Sequence, residues 1–380
     1  MRSMLELRNR QLLHEIERLI QEIDSSKTLA EIGPYRTRIR ALCLAIKERI
    51  QRNLNDLDLG QNSILEDILS NTQQVTQHVR LLSSRLVTPI LRSSSTDRFC
   101  LRVIAWLHTK HPSTAKYPAA FTDGDCAIWP FLDINPIYFF PASEQRGVLY
   151  LPLYFHEFGH LLYACHRQEM DDLVRDLQQH VDDILVPTSQ RGDRHSLVQA
   201  DRRRAIVMTW YKWAQELFCD AVGLTIGGPA FLSAFSSYLS TLDRGDFYRP
   251  LIELGGSGHP VTLLRIRMLT RKAQQMGFSA ESEAILKEWE VVRNAMGIAE
   301  DYHGYYTIEL LDHLDETIRD MLIEGAPVVF QSSDPSLKEH MVTPTDSPVV
   351  LVNKAWKAFT TKPVSQYMEW ERQAMESWLK

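Results

Sequence analysis

The sequence has no CxxC pair, no apolar run near the length of a bilayer span and no excess of positive charge. Each absence removes a class of protein. The five cysteines, Cys43, Cys100, Cys126, Cys165 and Cys219, are odd in number, and two sit in the apolar runs LLYAC and LFCDAV. That pattern excludes a disulfide framework and predicts buried free thiols in a reducing compartment. The N-terminal segment MRSMLELRNRQLLHEIERLI is charged throughout. It has no apolar core and no small-residue cleavage site, so no secretory leader is predicted. Without a run long enough to cross a bilayer, the expectation is a cytoplasmic protein with no membrane partner. A net charge of −6 and a pI near 6.1 give no general attraction to nucleic acid. The local cluster Arg202, Arg203 and Arg204 reads as a solvated helix face.

What is present is mostly helical periodicity. Residues 4 to about 92 carry three apolar stripes at steps of three, four or seven. The first runs through Leu5, Leu12, Ile16, Leu19 and Ile23, and the second through Ile39, Leu42, Ile46, Ile50 and Leu54. The third comprises Ile64, Ile68, Val75, Val79, Leu82 and Leu86. Amphipathic helices cannot bury their faces alone, so a helical hairpin or bundle is predicted for residues 1–95. The run Ser93-Ser94-Ser95 reads as a linker. FCLRVIAWL, from Phe99, fits strand or helix, and the turn-rich aromatic stretch DGDCAIWPFLDINPIYFFP predicts a small sheet. Beyond it the chain reads as helices, interrupted by a loop at 186–195, the Gly227-Gly228-Pro229 stop, the GGSG loop at 255–258 and a break near 343–348. The predicted fold class is mainly α with a small β-sheet (α+β). The predicted organisation is a helical region at 1–95, a central domain at 96–300 and a mostly helical C-terminal extension at 301–380.

The chemistry gathers in the helix that contains His156-Glu157-Phe158-Gly159-His160, an HExxH sequence. Residues four apart share a helix face, so both imidazoles can reach one metal ion. Three ionisable residues inside the apolar run YLPLYFHEFGHLLYAC need partners, and a cation is the natural one. A catalytic Zn²⁺ needs a third protein ligand and keeps a fourth position for water. Glu157 is the candidate base that takes a proton from zinc-bound water and returns it to the leaving nitrogen. Downstream, Glu216 and Asp220 again interrupt an apolar helix on one face. One can ligate the metal while the other fixes a histidine tautomer. His259, on the glycine-rich loop, and Arg265 are candidate donors to a developing oxyanion. Tyr302, His303, Tyr305 and Tyr306 are weaker candidates that read better as an aromatic cluster.

Three blocks in order, HEFGH (156–160), ELFCD (216–220) and HPVTLLR (259–265), resemble the gluzincin metallopeptidases. The likeness is greatest to the branch of the CAAX prenyl proteases and heat-shock membrane metalloproteases, and it covers about residues 130–275. The resemblance implies a zincin-like catalytic domain with Glu216 as third zinc ligand and Asp220 as its support. It also implies that His259 and Arg265 lie near the site. By analogy it makes INPIYFFP, upstream of the motif helix, the sheet edge that pairs with extended substrate. Members of that branch are membrane-embedded and this chain has no such segments, so a prenylated substrate is not implied.

The resulting expectation is a zinc metalloendopeptidase acting on a protein or peptide substrate. The N-terminal helices would be free to bind a partner or self-associate, and no nucleic acid would be involved. The alternative is a helical interaction or regulatory protein with a structural or vestigial zinc site. Glu157 argues against it, because a purely structural site has no use for that carboxylate.

Overall fold

Three long helices open the chain because each carries an apolar stripe that only its neighbours can cover. In a computed structural model these are α1 (Arg2–Ser25), α2 (Gly33–Asp58) and α3 (Leu65–Leu81). The structure describes residues 1–60, 62–133, 135–143, 145, 147–186, 200–242, 250–297, 302–339 and 341–380. The predicted stripes face inward, with Leu12, Ile16, Ile39, Ile50 and Val75 fully buried, while Leu42, Leu54 and Ile64 lie half-buried at the margin. A polar ladder crosses the bundle. Asn71 donates to Asn53, Asn53 to Asn9, and Asn9 to Thr72, at 2.7 to 3.0 Å. Each buried amide is satisfied only in this register, which disfavours slipped pairings. A five-residue π-helical turn, Leu82–Leu86, ends the bundle. The expected serine linker is instead a built turn: Ser94 and Asp97 form a capping box at the start of a short 3₁₀ turn. This turn leads directly into α4 (Arg98–Lys110), so FCLRVIAWL is helix, and its Phe99, Val103, Ile104 and Leu107 are buried.

The predicted sheet has three short strands, β1 (Phe121–Asp123), β2 (Ala127–Trp129) and β3 (Ile137–Phe140), in the order β1-β3-β2. β3 pairs parallel with β1 and antiparallel with β2. One expectation is therefore corrected: INPIYFFP supplies the central strand, and the edges are β1 and β2. The physical reason is burial. Ile137, Tyr138 and Phe140 are all fully buried, and a central position covers them and pairs both sides of the backbone.

The helices that follow are α5 (Leu153–Cys165), α6 (Arg167–Leu185), α7 (Ala200–Gly227), α8 (Pro229–Ser240), α9 (Thr262–Gln275), α10 (Ser279–Met296), α11 (Leu311–Gly325), α12 (Pro348–Thr361) and α13 (Val364–Trp378). Among the described residues the fold is mainly helical with this one small sheet, as the sequence predicts. Pro152 caps α5, and Pro260 stands just before Val261, the N-cap of α9, rather than inside the helix. The loop at 186–195 lies, from residue 187 on, outside the described residues. All five cysteines are free thiols. Among the described residues, no helix is long and apolar enough to cross a membrane.

A large core cluster runs from Leu12 to Trp378, with a smaller one of Leu5, Leu57, Leu65 and Ile68 in the N-terminal bundle. The last two helices brace the approach to α5. Trp356 Nε1 donates to the Leu149 carbonyl at 2.9 Å, and the Val148 amide donates to Glu371 Oε1 at 2.7 Å. On the other side, the Tyr163 and Tyr211 hydroxyls both donate to Asp171 Oδ1, at 2.7 and 2.8 Å. That clamp ties α5, α6 and α7 together.

Candidate metal centre

α5 and α7 pack face to face, and the closeness of their approach depends on Gly159. A Cβ at that position would stand 2.7 Å from the Cys219 Cα, nearer than side chains tolerate. The bare glycine lets the two backbones meet, which brings Glu216 of α7 opposite His156 and His160 of α5. Ligand atoms of these three residues all lie within 4.8 Å of one another. Glu216 Oε2 is 3.5 Å from His156 Nε2, and Oε1 is 3.6 Å from His160 Nε2. Those separations are long for hydrogen bonds. They suit donors placed at tetrahedral angles about 2.0–2.2 Å from a shared ion, which stand about 3.3–3.6 Å apart.

The electrostatics of the pocket call for positive charge. His156, Glu216 and Asp220 are all buried. Burial works against a charged His156 imidazole, but Asp220 and Glu216 outweigh it and push its pKa up to about 10. Burial likewise disfavours a charged Glu216, yet His156, His160 and Arg265 hold its carboxyl below its ordinary range. A divalent cation answers the same demand, so the donor set fits a metal ion of the kind that takes nitrogen and carboxylate ligands.

Asp220 and Arg265 build the layer behind these ligands. His156 Nδ1 lies 2.8 Å from Asp220 Oδ1, out of line for a full hydrogen bond, which leaves Nε2 turned to the cluster. Arg265 donates from Nε to Asp220 Oδ2 at 2.8 Å and from Nη2 to Asp220 Oδ1 at 2.7 Å. Nη2 also reaches Glu216 Oε2 at 3.3 Å. Burial opposes the guanidinium charge, but Asp220 and Glu216 raise the Arg265 pKa, while Arg265 and His156 lower that of Asp220 against its own burial. Arg265 thus faces the carboxylates, inside the protein. His259 faces outward, 58% exposed at its side chain, with Nε2 3.6 Å from Glu216 Oε2.

Glu157 follows His156 on α5, close enough that its charge helps to raise the pKa of that imidazole. It is 7% exposed, and its carboxylate Oε1 accepts from the Cys126 thiol at 3.7 Å. Burial, and then the Glu157 charge, push the Cys126 thiol well up, so it stays protonated as that donor. Cys126 immediately precedes β2, which ties the edge strand to the motif helix.

Sequence reading brings His156, Glu157, His160, Glu216, Asp220, His259 and Arg265 to this region; contacts at Glu216 and Asp220 join six of them, and Glu157, next to His156 in the chain, makes its contact with Cys126. Sequence reading does not foresee Cys126, Gly159 or Phe235. Phe235 stacks on His156 with ring centroids 5.5 Å apart and carries the Arg265 guanidinium 4.8 Å above its ring. Its apolar helix context looks like any core stripe, whereas Gly159 is signalled by its place inside the motif. Tyr302 and Tyr306 pack edge-on against each other, the Tyr305 ring lies against Trp213, and the Tyr305 carbonyl accepts from Trp210 Nε1. No known protein family, curated protein or solved structure matches the chain.

Proposed function

We propose that the protein is a zinc-dependent metalloendopeptidase, with His156, His160 and Glu216 as ligands and Glu157 as general base. The observation that carries this reading is the buried Glu157 carboxylate beside the three-ligand cluster. Its hydrogen bond is to a weak thiol donor, and a structural metal site would not require a buried carboxylate there. The motif resemblance to gluzincins supports the same conclusion. Zinc, when bound, supplies Lewis acidity that polarises a carbonyl and brings a water pKa toward neutrality.

The chain's own residues do the rest. Glu157 takes a proton from the attacking water and hands it to the amine nitrogen as the peptide bond breaks. A thiol donor orients the carboxylate while withdrawing little charge, because S–H donates weakly. His259, exposed beside Glu216, is the candidate donor to the carbonyl oxygen as it gains negative charge. Arg265, buried with its Nε and Nη2 engaged with Asp220 and Glu216, serves as a positioning residue in this reading. An extended substrate has a free sheet edge to pair with at β2, whose neighbour among the described residues is β3 alone.

The test is elemental analysis of purified protein together with a chelator competition titration. One zinc per chain, with affinity reduced by orders of magnitude in Glu216→Ala, is the expected result. Affinity unaffected by Glu216→Ala, or no zinc bound at all, would remove the proposal's foundation.

A further inference from the structure

On its outer face, away from α5, the sheet carries an aromatic platform. Trp129 of β2 packs edge-on against Phe139 of β3 at 5.4 Å and against Phe131 at 5.8 Å. The alternate residue Tyr138 takes the inner face, where its ring meets Tyr154 of α5 at 5.9 Å. Above the Trp129 ring, 4.9 Å from its centroid, sits the guanidinium of Arg85. Arg85 comes from the far side of the sequence, in the π-helical turn Leu82–Leu86 that ends the N-terminal bundle. A π turn inserts a residue and re-aims the side chains around it, a device common at functional sites.

The platform is accessible. Phe131 is 55% exposed, and Arg85 is exposed with no hydrogen bond or ion pair to its guanidinium among the described residues. Held over the indole face and exposed, the Arg85 guanidinium keeps N–H groups to donate, and their fork matches a carboxylate. The platform also borders the free edge of β2, next to Cys126 and its contact with Glu157. A peptide paired along that edge turns alternate side chains to opposite faces of the sheet. One set faces the α5 side, and the other meets Trp129, Phe131 and Arg85.

We propose that Arg85, Trp129 and Phe131 form a subsite for an Asp or Glu side chain of an extended peptide paired along β2. The N-terminal helical region then contributes to substrate selection through Arg85. This inference rests on the peptidase reading of the metal centre, and binding separates the two.

The experiment uses the full-length, zinc-loaded Glu157→Gln variant and dansylated octapeptides of alternating Thr and Ala, in which each position in turn is Glu, Gln or Lys. At one position Glu should bind about fivefold more tightly than Gln, and Lys more weakly than either. Added to this background, Arg85→Met, which keeps the stem over the ring, should erase the Glu preference and leave the Gln peptide unchanged. Trp129→Leu should weaken all three. Equal binding of Glu and Gln peptides, a preference that survives Arg85→Met, or no binding of any peptide would overturn the proposal. Arg85-dependent binding of a peptide that the native residue at 157 leaves uncut would instead count against the peptidase reading and leave the subsite standing. Cutting with no acid preference would do the reverse.

Discussion

Gly159→Ala tests whether the close approach of α5 and α7 makes the metal centre. The added methyl would stand 2.7 Å from Cys219 Cα, 3.0 Å from its Cβ and 3.1 Å from its Sγ. Two effects oppose each other. Alanine favours a helix interior over glycine by about 1 kcal/mol, and overpacking a core costs roughly 1–3 kcal/mol. Here the obstacle is buried backbone, which cannot rotate away, so the cost falls at the upper end and wins. The net expectation is a loss of about 1–2 kcal/mol in stability. Opening the gap from 2.7 Å to an ordinary 3.4 Å also carries Glu216, three residues before Cys219, away from the two histidines. Zinc affinity should then fall about 10- to 100-fold. Urea denaturation of the metal-free protein measures the first effect, and competition with a chromogenic chelator measures the second. A variant as stable as wild type, with zinc affinity within about twofold, would refute the idea that glycine sets the helix spacing.

Other expectations follow from the buried charges. Asp220→Ala leaves the Arg265 guanidinium buried with Glu216 alone, and removing one partner of such a pair should cost about 3–5 kcal/mol in urea denaturation. Asp220→Asn, which keeps the shape and an acceptor oxygen, should cost less. His108 is buried between the Tyr117 carbonyl and the Tyr138 hydroxyl, and burial lowers its pKa from 6.5 to about 4. The unfolded chain therefore binds the proton first. The stability this neutral histidine contributes is complete above pH 6.5 and lost as pH falls toward 4, by about 3 kcal/mol. His108→Gln, which can keep both hydrogen bonds, should flatten that part of the pH–stability curve. An unchanged acid limb would mean another group is responsible.

The helices and the metal cluster were legible in the residues for one shared reason: both depend on spacing along a helix. Positions 156 and 160, and 216 and 220, are four apart, and charges inside apolar helices mark themselves. Strand order was not legible, because nothing local distinguishes a central strand from an edge strand once both are short and apolar. Contacts between distant segments were equally hidden. Cys126 reaches Glu157 and Arg85 reaches Trp129 only through tertiary packing, and Phe235 resembles any buried aromatic. Arg265 could be brought near the site by its motif, but only the fold reveals that it faces the carboxylates and not the solvent.

The most direct measurement compares zinc-loaded wild type with Glu157→Gln for cleavage of unfolded casein, with zinc content determined on the same samples. The expected result is one zinc in each protein, cleavage by the wild type, and turnover reduced by at least about 100-fold in the variant. Equal turnover by the two proteins, or no cleavage by a fully zinc-loaded wild type, would contradict a peptidase that works through Glu157.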